Sequence, residues 1–228
     1  MTGVSSALLI KNVLITRSSP IRSRSSSFFH RIRMPGPMPH AIIFDLEFTA
    51  WPGSMERHWM APGEFREVVQ IGAVKVDARN LAATAQFDCL VKPRLNPVIS
   101  DYLGKLTGIT NDAIAERGID FAIAYERFVT FADGGAIVAF GRDDLVLAEN
   151  IALYELRGAP AMPNYKNVIP WLFENGIDPR GKHACDVASL CGAHFEGREH
   201  DALDDARSVA AGIAALIGRG ARNLLLGE

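Results

Sequence analysis

Carboxylates recur in this 228-residue chain at three places where they could hold a cation. Asp45 and Glu47 follow the apolar run 41–44 with one leucine between them. Side chains on a strand alternate, so the two acids point one way and Leu46 the other. Two like charges at the end of a buried strand are costly to ionise unless a cation lies between them. Oxygen-only donors select hard divalent ions such as Mg²⁺ or Mn²⁺. An isolated Asp-x-Glu could equally let both acids reach water, so the more distant acids decide its meaning. Asp143 and Asp144 directly follow a second apolar run, and Asp205 opens a helical segment preceded by His200. A metal-bound carboxylate beside a histidine that can take a proton from water is an arrangement for hydrolysis.

The elements that must position these groups follow from periodicity. The run 41–44 is too short for a helix and is bounded by Pro39 and by Trp51-Pro52-Gly53, which predicts a buried strand. Segments 67–77 and 83–91 read as two further strands of an antiparallel meander. Thr110 or Asn111 offers the N-cap of a short helix, and 121–132 has helical spacing closed by Gly134-Gly135. A strand at 136–141 leads into a helix ending near residue 157. A short strand is expected near 167–169, a helix at 184–192, and a last helix at 202–217. Ala202, Ala206, Val209, Ile213 and Leu216 form the apolar stripe of that last helix. The pattern predicts an α/β domain with a mixed five-stranded central sheet flanked by helices, its acids at strand ends where such sheets place ligands. The connection 50–66, with Trp51, Trp59 and Met60, is long enough to expect a functional loop.

Five segments in order carry a resemblance. Phe-Asp-Leu-Glu at 44–47, Glu-Val-Val-Gln-Ile-Gly-Ala-Val at 67–74, Leu-Thr-Gly-Ile-Thr at 106–110, Phe-Gly-Arg-Asp-Asp at 140–144 and His-x₄-Asp at 200–205 resemble the motifs of the DEDD exonucleases, in the branch that carries a histidine. Leu-Val-Lys-Pro and Asn-Pro-x-x-Ser within 90–100 resemble the Eri-type exoribonucleases. The resemblance spans about residues 40–218 and implies a ribonuclease H-like fold. It also implies two-metal hydrolysis of the 3′-terminal phosphodiester, releasing nucleoside 5′-monophosphates. By the same resemblance Asp45, Glu47, Asp144 and Asp205 hold two Mg²⁺ or Mn²⁺ ions about 3.5–4 Å apart, and His200 is the general base. Asp143 is left as the alternative to Asp144. Arg142 and Asp143 depart from the subgroup's pattern, which bears on substrate preference. Leu46, Phe48, Thr49, Leu106 and Ile109 are expected to contact the terminal nucleotide, with ordinary core packing as the other reading of Phe48, Leu106 and Ile109. Single-stranded RNA is the favoured substrate. A DNA-directed enzyme and a non-catalytic nucleic-acid-binding regulator of the same fold are the alternatives.

Composition bounds the partners. Residues 1–38 hold six Lys and Arg and no acid, which leaves 18 basic against 26 acidic residues in the remainder. Such a body does not hold a polyanion by bulk charge, so local cations and bound metal must supply the attraction. Three dispersed cysteines argue against a disulfide framework and for a reducing compartment. No apolar run is long enough to span a bilayer, and no membrane partner is expected. Residues 1–38, rich in Ser and Arg, read as a disordered leader: a transit-like peptide, or untranslated sequence ahead of a start at Met34 or Met38. The expected location is cytoplasmic, or an organelle if that leader is translated. The exonuclease domain is expected over 39–220, with 221–228 as a tail.

Overall fold

In the computed structural model, which describes residues 39–226, the first apolar run forms the central strand of the molecule. Strand β1 (His40–Phe48) pairs antiparallel with β2 (Val68–Asp77), and β2 pairs antiparallel with β3 (Ala83–Leu90). On its other side β1 runs parallel to β4 (Ala136–Ala139), which runs parallel to β5 (Tyr165–Asn167). The sheet order is β3-β2-β1-β4-β5, the mixed five-stranded arrangement that the pattern of elements predicts.

Alternation along β1 assigns each residue to a layer. Ile42, Phe44 and Leu46 pack against α3 (Phe121–Ala132) and α4 (Asp143–Leu153). Ala41 and Ile43 pack against α5 (Val168–Glu174), α6 (Val187–Leu190) and α7 (Ala202–Gly218). Asp45 and Glu47 continue this second face, so they look toward α7. A third, smaller core joins Val69 and Ile99 to α1 (Asp101–Thr107) and α2 (Asn111–Arg117). Ser100 caps α1 and Thr110 caps α2, each side chain accepting a backbone N–H of the first turn.

Two local expectations shift. The strand expected at 167–169 lies at 165–167, and α5 follows it without a loop, a helix that sequence periodicity misses. Asn167 ends the strand and caps the helix, accepting from the Ile169 N–H at 2.9 Å, and Pro170 sits in the first turn, where it costs no hydrogen bond. Residues 221–226, set apart above as a tail, pack onto the body: Leu224 and Leu225 join the α7-side core, and the Trp171 Nε1–H donates to the Arg222 carbonyl at 2.9 Å. The expected leader, 1–38, lies outside the described residues. No helix among the described residues is long and apolar enough to cross a membrane.

Candidate active site

At the C-terminal end of β1 a cleft of about 510 Å³ opens between α7, the loop after β1 and α1. Asp45 and Glu47 form its floor, and Asp143, His200 and Asp205 close around them. Ligand atoms of Glu47, His200 and Asp205 all lie within 4.8 Å of one another.

Asp205 reaches the floor because α7 stands directly on β2. Gly72 is the Cα partner of Asp45 across the β1–β2 ladder. A Cβ on Gly72 would lie 2.1 Å from the Leu203 backbone nitrogen. No other residue permits that approach, and it sets the first turn of α7 over Asp45. Asp201 caps the helix, accepting from the Leu203 and Asp204 N–H groups, and Asp205 falls on the buried stripe with Ala202, Ala206 and Val209. His200, just before the cap, takes a left-handed backbone (φ 58°), uncommon for residues other than glycine.

The third acid is a correction to the expected set. Asp144, matched to the metal ligand by motif alignment, is turned to Arg142, whose Nε and Nη2 donate to its two oxygens at 2.8 and 2.9 Å. Asp143 enters the cleft instead. The cause is helical phase: Asp143, Val146, Leu147 and Asn150 occupy positions i, i+3, i+4 and i+7, and the last three are the buried residues of α4. Asp144 lies about 100° around the helix from that stripe. The spacing was available in the sequence, but Leu145 and Ala148 are apolar too and blur it.

The expected nucleotide contacts divide in the same way. Leu46, Phe48 and Leu106 line the cleft, together with Trp51, Met55 and Trp59 from the long loop. Thr49 and Ile109 do not line it. Thr49 is buried, its hydroxyl donating to the Phe65 carbonyl and accepting from the Glu67 N–H. Ile109 packs in the third core with Leu103 and Ile114. The loop itself is cross-braced. Arg57 pairs with Glu64, the Trp59 Nε1–H donates to the Thr49 carbonyl at 2.8 Å, and Arg66 lies over the rings of Phe48 and Trp59. It forms a fixed aromatic wall.

Electrostatically the floor is under strain. Burial, then the Asp143, Glu47 and Asp205 carboxylates, push Asp45 well above the usual carboxylate range. Burial and the Asp205 charge raise Glu47 to about 8. Asp143 and Asp205 rise to about 7, each chiefly through burial, with Asp144 and Asp201 as the leading charged neighbours. Two buried oxygens, Asp143 Oδ2 and Asp205 Oδ1, have no hydrogen-bond partner. Buried acceptors without donors are costly, and carboxylate oxygens left in this way suit a hard cation. His200 moves the opposite way, its pKa lowered by burial, which favours the neutral imidazole.

Comparison with known proteins agrees with this architecture. The model of the family described as Exonuclease matches residues 42–212, three quarters of the chain. The chain belongs to the exonuclease family. Among individual exonucleases, it is 26% identical over 230 residues to the ERI1 exoribonuclease 2 of Xenopus laevis, covering 89% of this chain but 32% of that protein. It is 24% identical to the 3′-5′ exonuclease Snipper of Drosophila melanogaster, over 90% of this chain and 78% of the relative. The fold matches the crystallographic nuclease domain of 3′hExo, a DEDDh family member bound to rAMP. The TM-score is 0.69 at 20% identity, covering 84% of this chain and 98% of that one. The chain therefore spans about a third of the length of the frog relative and most of the fly one.

Proposed function

We propose that the chain is a divalent-metal-dependent 3′-5′ exonuclease that removes nucleoside 5′-monophosphates from single-stranded nucleic acid, with RNA favoured. The observation that carries this is the convergence, in one cleft, of four acids from β1, α4 and α7 beside the half-buried His200. Asp45, Glu47, Asp143 and Asp205 would hold the metal, and their oxygen-only donor set with two unpartnered buried oxygens fits Mg²⁺ or Mn²⁺, two ions in all. When bound, such ions acidify water and offset the charge of the attacked phosphate.

The chain's own residues do the rest. His200, its neutral form favoured by burial, takes the proton of the attacking water. The water oxygen bonds to phosphorus, and the bond to the 3′ oxygen of the penultimate nucleotide breaks. Phe48, Trp51, Met55 and Leu106 present an apolar surface on which the terminal base can stack, excluding water from the floor. RNA is favoured because the sequence relatives named above include an exoribonuclease. The test is turnover on matched RNA and DNA 3′ ends with Mg²⁺ or Mn²⁺. Shortening of RNA, faster than of DNA, is expected, and Asp45→Ala should abolish it. Undiminished cleavage by Asp45→Ala would refute the site, and a faster rate on DNA would overturn the substrate preference.

A further inference from the structure

Arg198 has no part in the chemistry above and does not line the cleft, yet the fold builds a seat for it beside the lining residues Leu106 and His200. Its backbone N–H donates to Asp204 Oδ2 at 2.8 Å, fixing it to the first turn of α7 two residues before His200. Its guanidinium rests on Gly108: a Cβ on that glycine would stand 2.0 Å from both terminal nitrogens. Gly108 is also the left-handed C-cap of α1 (φ 68°), a backbone conformation that favours glycine and leaves its surface bare for the guanidinium. The guanidinium lies close enough to Glu47 for its charge to be felt there.

Unlike the neighbouring arginines, Arg198 is uncommitted among the described residues, as is Lys182 within the cleft lining. Arg57, Arg66, Arg142 and Arg207, the other arginines around the cleft and its helices, pair with Glu64, Glu149, Asp144 and Asp204. Among the described residues, no carboxylate forms an ion pair with Arg198. In a body with excess acid, a guanidinium without an acidic partner near Glu47 is a local positive site for a polyanion.

We propose that Arg198 binds a phosphate of the substrate strand beside the cleft, between the Gly108 turn and the acidic floor. A planar fork of N–H donors suits two phosphate oxygens at once. The assignment rests on the nuclease reading but deepens it, naming a contact that holds the strand and takes no part in bond breaking.

Equilibrium binding of a fluorescein-labelled single-stranded RNA of ten nucleotides to the full chain, with Ca²⁺ in place of Mg²⁺, tests it without turnover. Arg198→Ala is expected to weaken binding about tenfold. The slope of log affinity against log salt should become shallower by about 0.7, the signature of one lost phosphate contact on a single strand. Arg198→Lys should keep the wild-type slope and recover part of the affinity, since it retains charge without the fork. Unchanged affinity and slope in Arg198→Ala would overturn the proposal. So would weaker binding with an unchanged slope, which would make the guanidinium a clamp on the Gly108 turn. A wild-type chain that binds RNA with the expected slope difference but never cleaves it would leave the contact standing and remove the nuclease. Cleavage by the wild type with no binding change in Arg198→Ala would do the reverse.

Discussion

Helices α4 and α7 both begin with adjacent aspartates, and each sends one of the pair into the cleft and the other to an arginine. In α4 the first, Asp143, goes in and Asp144 pairs with Arg142. In α7 the second, Asp205, goes in and Asp204 pairs with Arg207. The order reverses because the buried stripes differ in phase: Val146, Leu147 and Asn150 in one helix, Ala202, Ala206 and Val209 in the other. An acid doublet is therefore ambiguous until the apolar residues behind it are counted, and the arginine marks the member that stays outside.

The sharpest way to break this comparison is to neutralise each aspartate without changing its shape. Asp143→Asn and Asp205→Asn should each lower turnover on a 3′-labelled RNA by about 10²–10³-fold, as expected when a buried charge at the reaction centre is removed. Asp144→Asn should stay within about threefold, because Asp144 does not line the cleft and the amide can still hydrogen-bond Arg142; Asp204→Asn should likewise spare the chemical step under saturating substrate. Should Asp144→Asn prove the damaging variant, the phase argument fails for α4 and the motif alignment stands. A second large effect separates the two helices. α4 follows β4 almost directly, whereas α7 depends on the gap at Gly72 to approach the sheet. Gly72→Ala must displace the Ala202–Leu203 backbone. It should cost about 10²-fold in turnover through a shift of roughly 1 Å in Asp205 and His200, and about 1–3 kcal/mol in urea unfolding. Full activity in that variant would show that α7 has slack.

Much of this was legible in the sequence. β1 reads as a short unbroken apolar run between breakers, α3 and α7 show a clean period of 3.6, and the shared direction of Asp45 and Glu47 follows from strand alternation alone. Legibility failed where two signals compete within a few residues. Asp143 and Asp144 fall in that class because α4 carries apolar residues on more than one side. Thr49 and Ile109 lie beside cleft residues in sequence, but their side chains serve the Phe65–Glu67 backbone and the third core. Asn167 closes one element while opening the next, a double role that periodicity does not register.

The doublet in α4 also titrates in two directions. Burial raises Asp143 to about 7, whereas the Arg142 hydrogen bonds lower Asp144. A carboxylate whose folded pKa lies above its unfolded value stabilises the protein below about pH 4, and this contribution is lost as pH rises through the folded pKa. Asp143, Asp205 and Glu47 all have that sign, Glu47 being raised to about 8. The melting temperature of metal-free protein should therefore fall by several degrees between about pH 5 and pH 8.5. Mg²⁺ or Mn²⁺ should recover most of that loss, because it binds the ionised carboxylates of the folded state alone. Asp143→Asn should flatten the metal-free profile. Asp144→Asn should not, since Asp144 has the opposite sign: its contribution is present above the unfolded value near 4 and lost only as pH falls through its depressed folded value. A melting temperature that climbs toward alkaline pH in the absence of metal would contradict the burial of these acids.

The smallest expected effect falls on the arginine that holds the outer acid. Arg142 is more than half exposed, so its pairing with Asp144 is screened by water and contributes little stability. If helical phase alone decides which aspartate enters, Arg142→Ala should leave turnover within about twofold and stability within about 1 kcal/mol, because Val146, Leu147 and Asn150 still anchor the stripe. If the ion pair is what keeps Asp144 out, its release would let the two acids compete for the cleft. Turnover would then fall well beyond twofold, and the double variant Arg142→Ala/Asp144→Asn would restore it. Comparing turnover of the single and double variants distinguishes a phase set by the core from one set at the surface.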